Sequence, residues 1–349
     1  MNEWIIIIMG SMIFLHYLWA FKRLPQENYQ FLATRPKHKH HFNDLNLWDG
    51  ENLTYYGLFN ANAYLLAVMI GLFLLASIGI SLLTIIIMTI FILIICMPSS
   101  KILAQVIEKR PHVFSVGAAS FMGIVLSPWI VYGILKFHSI EHNCICVLSA
   151  ISIAYTFGEG LGRLACISFG CCYGKPLTEL NPFFQRMISP FAMVFEGKTK
   201  KIAYESHLDG VKVVPIQALT AILYTIFGLC ALYLFLEKYF VASFILSILI
   251  TQLWRFASEF LRADYRGKGK ISVYQWMSLI SCLYVISLPY IFNNALFPKP
   301  DIFFAFKTIW QPQVIIFLQG IWVISFFYTG KSQVTTSKIS FELSNGYYS

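Results

Sequence analysis

The sequence predicts an all-α, polytopic integral membrane bundle of about seven to nine transmembrane helices, with an interfacial arm and a small extramembrane cap. Three observations lead there. Hydrophobic residues make up 57% of the 349 and charged residues only 12%, with a mean hydropathy of +0.65, a balance foreign to soluble domains of this size. Long apolar stretches cover residues 4–21, 62–97, 114–136, 144–168, 213–236, 239–261, 271–292 and 313–329, most of them close to the ~20 residues that cross a bilayer. The basic residues cluster between these stretches and form no continuous face.

Taken in order, the first stretch lacks a basic segment before it and a small-residue cleavage site after it, so it reads as a retained helix. Residues 22–60, with Arg35-Pro-Lys-His-Lys-His-His41 and Leu45-Asn-Leu-Trp-Asp-Gly50, read as a polar arm at the headgroups. The stretch 62–97 is too long for one ordinary span and is split near Gly79 into a helical hairpin, which gives nine spans in all. Residues 170–212 are rich in Phe, Tyr and turn residues, as expected of a packed cap. The predicted divisions are residues 1–60 for the first helix and arm, 61–293 for the main transmembrane domain, and 294–349 for a further span and tail.

The net charge of +9 does not predict a nucleic-acid partner. With nine spans and an external N-terminus, the internal loops 22–60, 98–112, 170–212, 262–270 and the tail hold 20 of the 26 Lys and Arg residues, which satisfies the positive-inside rule. Arg163 and Arg255 remain inside the membrane. The eight cysteines give no disulfide ladder and no zinc-ligand spacing, so neither a metal nor a cofactor is predicted.

An ionisable residue within the bilayer costs roughly 3 kcal/mol on insertion scales and is by default functional. Glu159, Arg163, Cys166 and Gly170 are spaced by four, three and four residues, which aligns them on one helical stripe. Gly158 and Gly162 form a small-xxx-small pair for close helix approach. Arg255, Glu259, Arg262 and Arg266 form a second stripe of the same kind. The two stripes are expected to face each other. Either each arginine neutralises the glutamate four residues away and the stripes hold helices together, or the guanidiniums bind an anionic headgroup.

Gly162-Arg163, Gly170-Cys-Cys-Tyr-Gly-Lys-Pro176, Ser189-Pro-Phe-Ala-Met-Val-Phe195 and Arg255-Phe-x-x-Glu-Phe-x-Arg262 occur in an order and spacing that closely resemble bacterial prolipoprotein diacylglyceryl transferases. The resemblance covers roughly residues 60–292, continuing through Val214-Pro-Ile-Gln217 and Tyr274-Gln-Trp-Met-Ser278. It implies a multi-pass protein of the bacterial cytoplasmic membrane that moves a diacylglyceryl group from phosphatidylglycerol, or a similar anionic phospholipid, to a cysteine thiol of a prolipoprotein or another thiol-bearing acceptor. It also implies chemistry at the outer face of that membrane, where the charge distribution predicts loops 170–212 and 262–270 to be inside. Arg163 and Arg255 match the family's functional arginines and Glu259 its acid. Glu159, Gly162, Cys166, Gly170, Tyr173, Gly174, Gln217 and Arg262 are the expected substrate-binding set.

The chain departs from the family in places. A histidine before a glycine pair is replaced within Gly117-Ala-Ala-Ser-Phe-Met-Gly123, most simply by Ala118, a His-Pro block reads Val214-Pro215, and Cys166 and Cys171 stand where the family has an asparagine and a glutamate. Cys171, a thiol near Arg163 at a helix end, is expected to have a lowered pKa and to take part in the chemistry. The alternative expectation is a catalytically degenerate paralogue that binds lipid or a partner.

Overall fold

In a computed structural model, residues 2–42, 45–108, 116–141, 144–263, 271–292, 297–331 and 340–342 are described, apart from the side chains of 38–42, 45–47, 108 and 340–342. The bundle is all-α and polytopic. Its helices are α1 (Asn2–Arg23), α2 (Tyr55–Ser77), α3 (Leu82–Glu108), α4 (Val116–Phe137), α5 (Cys144–Phe169), α6 (Pro182–Ile188), α7 (Lys201–Ser206), α8 (Ile216–Leu236), α9 (Phe240–Glu259), α10 (Val273–Ile291), α11 (Ile302–Ile309) and α12 (Pro312–Thr329). Among the described residues, eight helices are long and apolar enough to cross a membrane: α1 to α5, α8, α9 and α12. The ninth predicted segment, 271–292, is α10, whose Gln275, Ser278 and Ser281 dilute its apolar character. The predicted break in 62–97 lies between α2 and α3, where Gly79 takes φ +80°, a conformation that L side chains disfavour.

Burial ranks the helices. The apolar window of α5 is 78% buried, against 17% for α1 and for α12, so α5 is the axis and the other two face lipid. It packs on α2, α8, α9, α4 and α1. A core of Leu74, Ile145, Val147, Ile153, Phe157, Phe235 and Phe240 fills one half. Gly158 allows its closest approach to α2, since a Cβ there would stand 2.8 Å from that of Ala67.

The polar N-terminal arm contains strands that the sequence pattern does not announce. Two strands, β1 (Phe31–Phe42) and β2 (Leu45–Thr54), pair antiparallel, with β5 (Ser340–Glu342) on the outer edge of β2. Polar residues stand at consecutive positions in both segments, so the sequence carries no two-residue apolar alternation to reveal the strands. The sheet is joined to α12 where the Thr54 amide donates to the Gly330 carbonyl at 3.1 Å.

The cap, residues 170–215, contains α6, α7 and a two-stranded ribbon of β3 (Met193–Val194) and β4 (Lys212–Val213). It sits on the ends of α1 and α5. The Glu196 amide donates to the Pro25 carbonyl, and the Gln30 side chain to the Thr199 carbonyl. Lys200, fully buried, donates from Nζ to the carbonyls of Leu24 at 2.9 Å and Ser168 at 2.6 Å. One lysine thus ties together the C-terminal ends of α1 and α5 and the cap.

Candidate functional site

The site is built from the C-terminal half of α5, the turn that follows, the start of α8 and the end of α9. On α5, Tyr155, Glu159 and Arg163 recur every four residues and share a face. Glu159 Oε1 accepts from Nη2 of Arg163 and, at 2.6 Å, from Nη2 of Arg255 across on α9, while its Oε2 accepts from the Tyr155 hydroxyl. The side chains of Arg163, Arg255 and Glu159 are 14%, 15% and 7% exposed, so this is a buried ion triad. One carboxylate serves two guanidiniums, which leaves a net positive charge in an apolar setting.

The two predicted stripes therefore do meet, but not as pairs within each helix. Glu159 precedes Arg163 by four residues, the favourable order for a helical ion pair, whereas Glu259 follows Arg255, the weaker order. Arg255 reaches across to Glu159 instead. Among the described residues, Glu259 Oε1 is buried without a hydrogen-bond partner, and so are Arg163 Nε, Arg255 Nε and Gln217 Oε1. Two donors and two acceptors are thus left open. Arg266 lies outside the described residues.

The turn after α5 follows from Gly170. At φ +73° it closes α5 in a Schellman motif, with the Cys171 amide donating to the Cys166 carbonyl at 3.0 Å and the Gly170 amide to that of Ile167 at 3.2 Å. The motif folds Cys171 back over Cys166. Cys172 then takes a left-handed φ of +56°, and the Sγ atoms of Cys166, Cys171 and Cys172 all lie within 4.8 Å of one another. Gln217, at the start of α8, donates from Nε2 to the Cys171 carbonyl at 2.8 Å. The end of α9 is zipped to the same turn: Gly174 and Arg262 form a β-bridge, the Ala263 amide donates to the Tyr173 carbonyl, and the Lys175 amide to that of Leu261.

The thiol whose pKa is lowered is Cys172, not Cys171. Hydrogen bonds from Cys166 and Cys171 hold Cys172 well below the ordinary thiol range, and Arg262 and Arg163 add to this. Cys171 is pushed up by the same sharing with Cys166 and Cys172.

Other predicted residues have structural places. Tyr173 is buried, and its hydroxyl bonds Ser206 Oγ at 2.5 Å and donates to Glu205 at 3.0 Å, inside the cap. Gly174 passes against strand-like backbone, where a Cβ would stand 2.3 Å from the Val214 carbonyl oxygen. Gly162 faces Ala63 of α2. Ala118 is fully buried in an apolar cluster with Ala104, Tyr274 and Met277. The residues that sequence reasoning missed are Tyr155 and Lys200. Extending the stripe one turn back from Glu159 reaches Tyr155, whereas nothing in the spacing of Lys200 reveals its burial.

The family model described as prolipoprotein diacylglyceryl transferase matches residues 45–291, well over half of the chain. The protein belongs to this family. The matched range holds all the site residues above, from Tyr155 to Ala263, and the multi-pass bundle agrees with membership. A comparison with curated proteins finds no match. Family membership supports a transferase with lipid and prolipoprotein substrates in general terms.

Proposed function

We propose that this protein transfers the diacylglyceryl group of phosphatidylglycerol, or a similar anionic phospholipid, to the cysteine thiol of a prolipoprotein or another thiol-bearing acceptor in the bacterial cytoplasmic membrane. The observation that carries the reading is the open valence of the ion triad. Glu159 neutralises one of two buried guanidiniums, and the Nε atoms of both lack acceptors among the described residues. A buried polar atom left unpaired costs about 1–3 kcal/mol, and a phosphate diester supplies acceptors and the missing negative charge together. The open acceptors, Gln217 Oε1 and Glu259 Oε1, suit the hydroxyls of a glycerol headgroup. A groove of ≈ 280 Å³ lined by Met12, His16, Asn62, Leu65, Met69 and Leu161 suits an acyl chain.

In this reaction the acceptor sulfur attacks the glyceryl carbon that bears the phosphate. A carbon–sulfur bond forms, the carbon–oxygen bond breaks, and glycerol phosphate leaves with the electron pair. Arg163 and Arg255 stabilise the charge that develops on the leaving phosphate. Glu259 is the acid of the chain's own set best suited to take the thiol proton, because it lies one turn from Arg255 and its Oε1 is unengaged. Cys171 is assigned no covalent step: a thioether formed on it would be a stable product and not an intermediate.

A specific observation supports a second reading, of a lipid-binding paralogue without catalysis, since Ala118 brings no titratable group to the family's histidine position. Complementation of a conditional strain depleted of its own prolipoprotein diacylglyceryl transferase, scored by growth and by the mass of a reporter lipoprotein, separates the two. Under the transferase reading the reporter gains diacylglycerol, and Arg163→Ala and Arg255→Ala each abolish the gain, with losses of about 100-fold or more. No gain from protein present in the membrane, with phosphatidylglycerol still bound, establishes the second reading.

A further inference from the structure

Three thiols at the C-terminal end of α5 and in the turn after it, Cys166, Cys171 and Cys172, form a cluster that the proposed lipid chemistry does not use. Two of them meet as a consequence of helix termination: Cys166 and Cys171 occupy the positions whose side chains touch in a Schellman motif. That contact does not explain the third. Cys172 joins by holding a left-handed φ of +56°, which costs a non-glycine residue about 1 kcal/mol or more. The turn is then fixed from outside by Gln217 on the Cys171 carbonyl and by the backbone bonds of Tyr173 and Lys175 to the end of α9. The thiols are reduced and partly accessible.

We infer that Cys166, Cys171 and Cys172 form a three-thiolate site for a soft monovalent cation of the Cu(I) class. Three sulfurs around one ion at the ~2.3 Å of a metal–thiolate bond stand about 4.0 Å apart in a trigonal arrangement. The three Sγ atoms already lie within 4.8 Å of one another, so each pair needs to close by less than about 1 Å to reach that spacing. The donor set chooses the ion. Thiolates select soft metals, zinc in closed sites takes four protein ligands, and among the described residues no histidine or carboxylate joins the group. The inference does not depend on the lipid reading.

The test uses the full chain, reduced and metal-free in lipid nanodiscs, titrated with Cu(I) in competition with a chromophoric Cu(I) chelator. One Cu(I) per chain is expected. Cys166→Ser, Cys171→Ser and Cys172→Ser should each weaken binding by on the order of 100-fold, the upper end of what disturbing a metal's surroundings costs, while Cys230→Ser, at an exposed position elsewhere, changes nothing. Should a serine variant fail to fold, alkylation of the wild-type protein mapped by peptide mass is the second measurement: Cu(I) should protect Cys166, Cys171 and Cys172 together. Failure to compete with the chelator, equal binding by the folded serine variants, absence of joint protection, or a preference for Zn(II) over Cu(I) would each overturn the assignment.

Discussion

Glu159 and Glu259 sit on the packed helices α5 and α9, each one helical turn from an arginine, and the chain uses them in opposite ways. Glu159 is saturated: Arg163, Arg255 and Tyr155 all bond its two oxygens. Glu259 keeps a buried oxygen without a partner. Packing accounts for the difference: Arg255 reaches across to Glu159, and Arg262 follows the end of α9, in the bridge with Gly174. Under the proposed function, the saturated carboxylate positions the guanidiniums and the open one takes the thiol proton. The two can therefore be separated by experiment.

The largest effect is expected at Glu159. Glu159→Gln leaves two guanidiniums buried without a counter-charge, and breaking a buried ion pair from one side costs about 3–5 kcal/mol. Thermal unfolding of the detergent-solubilised protein should show the loss. Added anionic phospholipid should recover part of it by supplying charge to the same arginines, where zwitterionic phospholipid should not. A Glu159→Gln protein as stable as the wild type would remove the positioning role.

Glu259→Gln sharpens the contrast. Its Oε1 makes no hydrogen bond among the described residues, so the amide should leave the unfolding temperature nearly unchanged while lowering transfer to a reporter lipoprotein by about 100-fold, the usual scale for loss of a proton acceptor. A fall in stability with no fall in transfer would reverse the roles of the two glutamates.

The same contrast shows what could be read from the sequence. Intervals of four, three and four residues announce Glu159, Arg163, Cys166 and Gly170 as one stripe, and helical geometry alone makes that prediction secure. Gly170 likewise signals the end of α5 without reference to any other element. The partner of Arg255 could not be read this way, because it lies 96 positions away and depends on how α9 packs against α5. Tyr173 was legible as an aromatic residue but not in its direction, which α7 decides by offering Glu205 and Ser206. The arm's strands and the burial of Lys200 were hidden for the same reason: their partners come from distant segments.

Lys200 supplies the smallest and most specific prediction. Burial lowers its pKa from the ordinary 10.5 to about 7, opposed only in part by Glu27. The unfolded chain therefore binds a proton at Lys200 between about pH 7 and 10.5 that the folded chain does not, so this group makes stability rise with pH across that window. The slope is at most about 1.4 kcal/mol per pH unit. Other groups titrate in the same range, so the informative quantity is the difference between the wild type and Lys200→Met, which removes the proton and keeps the apolar stem. Unfolding temperatures measured from pH 7 to 9.5 should rise more steeply for the wild type. The variant should also be less stable at the upper end, where the neutral amine still donates to the carbonyls of Leu24 and Ser168 and methionine cannot. Parallel pH profiles would mean that Lys200 stays charged in its buried position and that the two carbonyls suffice to hold that charge.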